Sequence, residues 1–330
     1  MKRNDKHRII VGGCILILVL SISCADQSMT FLRKTQTPTT TPTVKPTFTV
    51  SPVPSATTIP TPELGIGSTR IRVKGGMIEV YVPPGEFIMG SDTSERKDVH
   101  PAHVVYLDGF WIDRTEVTNG MYAQFLNEMG NQTVFTATWL DAEDENVRIH
   151  YKDGTWQVDE GYEEHPVIEV IWEGAKAYCE WAGGRLPTEA EWEKAARGTD
   201  ERLYPWGDDP LAGHLANSAD VNTDFERADK SIDDGYAQTA PVGSYPEGAS
   251  PYGALDMAGN VSEWVADWYG EDYYEESPYE NPPGPERVGD KVDRGGDWAD
   301  QYYLLHTTFR GSYYPFFSYY NVGFRCVSAP

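Results

Sequence analysis

The chain has 330 residues and a formal net charge of -24, with 27 Lys and Arg residues against 51 Asp and Glu residues. So acidic a chain lacks the basic face that phosphate binding requires, and we therefore expect no nucleic-acid partner. Most of the acids are expected to form a solvated surface, although clustered carboxylates can hold divalent cations.

Residues 1–24 are typical of an export signal. Lys2 and Arg3 precede an apolar run from 9 to 22 that is short for a membrane span. Cys24 directly follows this run, as in lipoproteins, whose cysteine thiol carries the lipid. Ser21 stands where lipoproteins usually have leucine, so a simply cleaved signal or an uncleaved anchor remains an alternative. We expect an exported protein attached to the membrane through an N-terminal lipid or signal anchor.

Residues 25–67 are predicted to form a disordered stalk. Thr, Pro, Ser and Val dominate from 37 to 62, without apolar periodicity, and the many prolines lack a backbone N–H donor. Such a segment cannot form a packed core. A single large domain is predicted over 68–330.

The predicted elements of this domain begin with strands at 77–82 and 103–111. Helices are predicted at 119–129 and 172–182, where apolar residues recur at helical spacing. A third helix is predicted after Thr188, whose spacing to Glu191 is that of a capping box, and it continues to 196. Beyond 199 the alternation of Gly, Pro, Asn, Asp and aromatic residues indicates short strands and long loops.

Two cysteines remain in the mature domain after Cys14 is lost with the signal and Cys24 is assigned to lipidation. In an oxidising compartment Cys179 and Cys326 are expected to form a disulfide, with two buried thiols as the alternative. Closing a loop of about 147 residues would stabilise the fold by up to about 5 kcal/mol in the chain-entropy model.

Eight motifs in chain order resemble the formylglycine-generating enzyme, or sulfatase-modifying factor, family. They lie at 83–90, 116–119, 165–167, 184–193, 204–207, 259–264, 294–296 and 323–326. The resemblance implies an α+β domain, a variant of the C-type lectin fold with little regular secondary structure. It also implies that Cys179 and Cys326 match a family disulfide.

Several tryptophans and two arginines have a structural interpretation. We expect five tryptophans to fill the core, namely Trp172, Trp181, Trp192, Trp206 and Trp264. Arg185 and Arg325 are expected to satisfy buried carbonyls or carboxylates, as a planar multidentate donor can.

Two loops resemble structural calcium sites. Calcium prefers carboxylate and backbone carbonyl oxygens in a curved loop. By resemblance, one site uses the side chains of Asp256 and Glu263 with the carbonyls of Gly259 and Val261. The second uses Asn217, the Ser218 carbonyl, Asp234 and the Tyr236 carbonyl. The alternative is that these acids only cap turns.

The chain departs from the family at its catalytic cysteines. Active members oxidise a substrate cysteine with dioxygen and copper(I), which is held by two soft thiolates. Those positions fall on Asp300 and Leu305, and Asp297 replaces the usual Ser or Thr after the two glycines. A carboxylate is a hard donor and leucine has no lone pair. We therefore predict no catalytic residues here and no copper.

The segment 297–320 is rich in aromatic residues and contains neither Lys nor Glu. Asp297 and six tyrosines are candidate ligand-binding residues: Tyr302, Tyr303, Tyr313, Tyr314, Tyr319 and Tyr320. Tyrosine provides rigid contact area with a polar end, as in antibody paratopes. The composition also resembles segments diversified by retroelements on this fold, and aromatic core packing is the alternative.

Two functions remain for the structure to address. The leading hypothesis is a non-catalytic, calcium-stabilised domain that binds a peptide, protein or glycan outside the cell. The alternative is an oxidoreductase of the formylglycine-generating type with altered chemistry.

Overall fold

The computed structural model describes residues 64–286 and 289–330. The predictions for the export signal, Cys24 and nearly all of the stalk lie outside these residues. Among the residues described, no helix has the length and apolar character needed to cross a bilayer.

The described residues form a mixed α and β fold with three helices and fourteen mostly short strands. The helices are α1 at Asn119–Met129, α2 at Trp172–Trp181 and α3 at Glu189–Arg197. The strands are β1 Thr69–Ile71, β2 Ile78–Val82, β3 Gly85–Met89, β4 His103–Leu107, β5 Phe110–Asp113, β6 Thr133–Val134, β7 Ala137–Thr138, β8 Ile149–Lys152, β9 Thr155–Val158, β10 Ser262–Trp268, β11 Lys291–Arg294, β12 Arg310–Tyr313, β13 Val322–Phe324 and β14 Val327–Ser328.

Two four-stranded sheets organise the domain. One has the order β1-β2-β5-β14 and is antiparallel throughout, so strands from both ends of the described chain meet in it. The other has the order β12-β11-β10-β13, in which only β10 and β13 are parallel. Three hairpins, β3-β4, β6-β7 and β8-β9, complete the described strands.

Two strands replace the single one predicted at 103–111. β4 ends at Leu107 and β5 begins at Phe110. Between them lies Gly109, where an added Cβ would collide with the hydroxyl of Tyr81. β4 pairs with β3 and β5 pairs with β2, so the two halves belong to different sheets. Alternating apolar residues did not reveal this change of partner.

The start of α3 follows the predicted capping chemistry, whereas α2 begins after Ile171 without a side-chain cap. The side chain of Thr188 accepts a hydrogen bond from the Glu191 amide, and the Glu191 carboxylate accepts one from the Thr188 amide, at 2.8 Å. Thr118 caps α1 in the same way by accepting from the Met121 amide. The reciprocal bonds at Thr188 and the single bond at Thr118 satisfy amides that have no intrahelical partner.

Trp192 and Trp264 are fully buried, one in each of the two main apolar clusters. Trp172, Trp181 and Trp206 are only half-buried and lie at cluster edges, so the expectation that all five fill the core was wrong for these three. Their indole N–H groups reach partners at the cluster edges, namely the Val265 carbonyl for Trp172, the Glu128 carboxylate for Trp181 and the Asp209 carbonyl for Trp206.

Cys179 and Cys326 form a disulfide with a Cα–Cα separation of 5.5 Å. Both residues are fully buried in the cluster around Trp264. The bridge joins α2 to the turn between β13 and β14, and it confirms the pairing expected from the sequence.

Candidate functional site

The segment that follows β11 contains the positions of the family cysteines. Leu305 is fully buried and packs with Tyr204 and Ala258, while Asp300 is half-buried. Both cysteines of the described chain are consumed by the disulfide. This place therefore offers a carboxylate and an aliphatic side chain, and no thiolate.

Asp297 and Asp300 form a pair of carboxyl groups beside β11. Asp297 is buried and accepts hydrogen bonds from the Asn321 side chain and the Ala299 amide, both at 2.7 Å. Burial and the neighbouring Asp300 raise the pKa of Asp297 to about 8. Burial likewise raises the pKa of Asp300. The pair can therefore retain a proton at neutral pH, and sequence reasoning missed this because it treated the two acids separately.

Asp293 on β11 adds a third buried carboxyl near this pair. Burial raises the pKa of Asp293 to about 7, with Asp300 contributing, and its Oδ1 atom has no hydrogen-bond partner in the described structure. Within the described ranges, however, no three His, Cys, Asp or Glu side chains are grouped as ligands of a metal ion.

Most of the six candidate tyrosines face solvent. Tyr302, Tyr303, Tyr314 and Tyr320 have exposed fractions between 45% and 53%. Tyr313 and Tyr319 are half-buried, with ring centroids 4.2 Å apart and within 6.2 Å of the Trp264 ring. The segment therefore combines a buried edge that fixes its position with an exposed aromatic surface.

Two hollows adjoin Tyr302. The larger has a volume of about 640 Å³ and is lined by Ser91, Thr93, Arg96, Tyr303 and His306 among others. The smaller, about 200 Å³, lies between Tyr302 and the loop that contains Arg227. Hydroxyl, guanidinium and aromatic groups in one concave surface can orient a polar ligand.

The Asp234 carboxylate lies against the loop of Asn217 and Ser218. The Asp234 carboxylate accepts hydrogen bonds from the Ser218 amide at 2.8 Å and the Tyr236 amide at 3.0 Å. The buried Oδ1 of Asn217 has no hydrogen-bond partner among the described groups. An orphaned oxygen beside a buried carboxylate suits calcium, and burial raises the pKa of Asp234 to about 6.

The loop from Asp256 to Glu263 touches the first loop directly. The Asn260 amide donates to the Asn217 carbonyl at 3.0 Å, and an added Cβ at Gly259 would collide with that same carbonyl. Asp256 and Asn260 both adopt positive φ, which curves the backbone between Asp256 and Glu263. The two candidate calcium loops are therefore one contiguous structure.

Glu263 already has strong partners within this structure. It accepts two hydrogen bonds from the Arg325 guanidinium, each 2.7 Å long, and one from the Trp192 indole at 2.8 Å. Arg325 also donates to the Leu255 carbonyl at 2.9 Å, so its expected role is borne out. Arg185 also has its expected role, because it donates to the buried carboxylate of Glu191 and to the Leu186 carbonyl, although half of its own side chain is exposed.

Glu116 is an acidic neighbour of these loops that sequence reasoning did not select. It is fully buried and receives a hydrogen bond from the Asn260 side chain at 2.9 Å, but its Oε2 atom has no partner in the described structure. Burial, followed by the charge of Asp256, raises the pKa of Glu116 well above its usual range. A cation or a proton would relieve this excess of carboxylates. The only sequence signal for Glu116 was its place in the family motif at 116–119.

Comparison with known families supports the resemblance. Residues 72–330 match the family model of the sulfatase-modifying factor enzyme 1-like domain.

Three curated relatives illustrate the range of this similarity. Formylglycine-generating enzyme of Streptomyces coelicolor is 36% identical over 84% of this chain and 95% of its own length. Mouse inactive C-alpha-formylglycine-generating enzyme 2 is 32% identical over 76% of this chain and 85% of its length. Serine/threonine-protein kinase pkn1 of Chlamydia caviae is 38% identical over 75% of this chain, which spans only 37% of that relative.

Two solved structures have a similar fold. PvdO from Pseudomonas aeruginosa superposes with a TM-score of 0.64 and 25% identity, over 81% of this chain and all of its own. Treponema denticola variable protein 1 superposes with a TM-score of 0.59 and 21% identity, over 80% of this chain and 99% of its own.

Proposed function

The chain belongs to the sulfatase-modifying factor family, and we propose that it is a non-catalytic, exported member that binds a ligand on its C-terminal aromatic surface. The observation that carries this proposal is the chemistry of the copper positions. Asp300 supplies a hard oxygen and Leu305 is fully buried without a lone pair, whereas copper(I) requires soft donors. No spare thiol compensates within the described chain, because Cys179 and Cys326 are joined.

The exposed tyrosines support a binding function. Tyr302 and Tyr303 project beside the 640 Å³ hollow, where large aromatic area meets hydroxyl groups and Arg96. Exposed aromatic side chains with polar ends are the usual anchors of protein and glycan recognition. The ligand class we propose is accordingly a peptide, protein or glycan.

Calcium is proposed as a structural ion of the two contiguous loops. Asn217 and Asp234 would hold one ion. Asp256 and Glu263 would hold the other together with backbone carbonyls, in competition with the Arg325 guanidinium that contacts both Glu263 oxygens. The orphaned oxygens of Asn217 and Glu116 support this assignment. Bound calcium would neutralise buried carboxylates and thereby stabilise the loops that support the aromatic surface.

Two relatives support the absence of catalysis and the use of the fold for binding. One mouse relative is named an inactive formylglycine-generating enzyme, so the family includes a protein described as inactive. A protein with the same fold is titled a variable protein, as expected if this architecture can present a diversified surface.

The alternative function is an oxidoreductase with altered chemistry. The carboxyl pair of Asp297 and Asp300 favours it, because the pair occupies the family's reactive region and can hold a proton near neutral pH. Such a pair supplies acid–base chemistry but no electron-transfer group of its own.

The test uses the purified protein with copper, dioxygen and a cysteine peptide, followed by hydrazide detection of aldehyde. We expect no aldehyde, and aldehyde formation above the copper-only background would refute the proposal. In parallel, glycan and peptide arrays are screened with the wild type and with Tyr302→Ala/Tyr303→Ala. Loss of a captured ligand by this variant, but not by Tyr279→Ala, is expected, since Tyr279 is similarly exposed outside the segment.

A further inference from the structure

The 640 Å³ hollow beside Tyr302 adjoins a further hollow of about 180 Å³ near Glu201, and we call the two together the hydroxyl cleft. Four residues line both hollows and so join them, namely Ser91, Thr93, Leu203 and Thr308. The volume of the larger hollow is within the range of about 300–1,000 Å³ that ligand sites occupy. The chain therefore presents an elongated concave surface.

Hydroxyl groups dominate the larger hollow. They belong to Ser91, Thr93, Ser94, Tyr302, Tyr303 and Thr308. Each hydroxyl can both donate and accept a hydrogen bond. Among the described residues that line this hollow, only Leu203 and Leu304 are aliphatic. A peptide anchors its apolar side chains in apolar pockets, so this lining suits a ligand that is itself dense in hydroxyl groups.

Tyr303 provides an aromatic platform whose orientation is fixed by hydrogen bonds. Its hydroxyl donates to the Gln301 side chain at 3.2 Å, and Gln301 donates to the Arg227 carbonyl at 2.8 Å. The Tyr302 ring meets the Tyr303 ring at 90° with the centroids 5.5 Å apart, and 48% of Tyr303 remains exposed. A ring held in this way loses little conformational entropy when a ligand stacks on it.

Hydrogen bonds also hold the wall that contains Ser91 and Thr93. The hydroxyl oxygens of these two residues are 3.1 Å apart. Arg96 in the same wall contacts the Asp98 carboxylate at 3.1 and 2.6 Å and donates to the Arg310 carbonyl at 2.8 Å. The protein itself therefore engages this guanidinium and fixes the wall in place.

The unpaired charges of the hydroxyl cleft are negative. Three arginines line it, and each pairs with an acid of the protein: Arg96 with Asp98, Arg197 with Glu193 and Arg202 with Asp200. Within residues 64–286 and 289–330, Glu95 and Glu201 are exposed and form no ion pair. A carboxylate accepts strong hydrogen bonds from hydroxyl groups but repels an anionic ligand.

We propose that the hydroxyl cleft binds a neutral linear oligosaccharide, with one sugar ring on the face of Tyr303 and further units extending towards Glu201. The C–H face of a pyranose ring is apolar and can pack on an aromatic ring, while its hydroxyl groups can bond to hydroxyl and carboxylate oxygens. A chain of uronic acids would meet Glu95 and Glu201 with like charge. The inference rests on the proposed binding function and selects the glycan among its ligand classes.

The test is isothermal titration calorimetry of the purified protein with three neutral β-1,4-linked hexasaccharides, composed of glucose, mannose or N-acetylglucosamine. Hexamannuronate serves as the anionic counterpart of mannohexaose. At least one neutral hexasaccharide is expected to bind with a Kd below about 1 mM, and hexamannuronate is expected to bind about tenfold more weakly or worse.

Tyr303→Ala and Glu201→Gln examine the two ends of the hydroxyl cleft. Tyr303→Ala should weaken binding of the neutral hexasaccharide by about tenfold or more because the platform is lost, and Glu201→Gln should weaken it by about threefold because the acceptor loses its charge. Tyr151→Ala and Glu271→Gln are the matched controls, since both residues are exposed elsewhere. Neither control should change binding by more than about twofold.

Kd values above about 1 mM for all three neutral hexasaccharides would overturn the proposal. Equal binding of hexamannuronate, or equal losses in the control variants, would overturn it as well. Capture of a peptide that depends on Tyr302 and Tyr303, without oligosaccharide binding, would refute this inference and leave the proposed function standing. Absence of both kinds of ligand would refute the proposed function too.

Discussion

The buried pair of Arg325 and Glu263 permits a quantitative test of what holds the loop from Asp256 to Glu263 in place. Replacing Arg325 by Met removes the guanidinium that contacts both Glu263 oxygens and, through Nη1, the Asp113 carbonyl at 3.0 Å. Glu263 would then remain buried near Glu116 without a positive partner. Breaking such a pair costs about 3–5 kcal/mol, because the remaining charge has lost both water and counter-charge.

Arg185 provides a matched control. It also pairs with a glutamate through two nitrogen–oxygen contacts, of 2.6 and 2.7 Å to Glu191, but about half of its side chain is exposed. Glu191 is itself largely buried, but it keeps the Thr188 amide as a donor, and water can reach the space left by the exposed arginine. Arg185→Met should therefore cost less than Arg325→Met, about 1 kcal/mol. The two pairs share the donor type and the acceptor type. They differ in the burial of the arginine and in the additional backbone carbonyls that Arg325 contacts.

The measurement is urea unfolding in the presence of a calcium chelator, with stability compared at an unchanged m-value. Arg325→Lys, which keeps the charge without the planar fork, should fall between the wild type and Arg325→Met. If Arg325→Met fails to fold, Glu263→Gln/Arg325→Met should recover part of the stability because the uncompensated charge is gone. Similar losses for Arg325→Met and Arg185→Met would refute the reasoning.

Three further predictions concern the disulfide, the carboxyl pair and calcium. Cys179→Ala/Cys326→Ala should lower stability by up to about 5 kcal/mol because the unfolded chain regains the entropy of a 147-residue loop, and thermal unfolding with and without reductant should show no shift for this variant. Because the pKa of Asp297 is raised to about 8, its contribution to the free energy of unfolding is full below about pH 4 and is lost as pH rises through about 8. Asp297→Asn should therefore reduce the decline of stability with pH by at most about 1.4 kcal/mol per pH unit. An unchanged pH profile in urea unfolding would contradict this. Chelation should lower the melting temperature of the wild type more than that of Asn217→Ala, and equal shifts would remove Asn217 from the proposed site.

Local sequence patterns determined much of this protein's architecture. The three helices were predictable because capping residues and apolar spacing act within one or two turns, as at Thr188 and Glu191. The ordered motifs identified the family and therefore the fold, although most strands are short and carry little periodicity. Cysteine counting, together with the expectation of export, predicted the bridge between Cys179 and Cys326, which the structure contains.

The tertiary structure alone decided features that depend on distant neighbours. The change of sheet at Gly109 arises from the close approach of Tyr81, and the pairing of Arg325 with Glu263 joins residues 62 positions apart. The raised pKa of Asp297 and that of Glu116 depend on burial and on adjacent charges, neither of which is encoded in local spacing. The convergence of Ser91, Tyr303 and Thr308 on one cleft is likewise a product of folding, because it is set by which distant segments pack together.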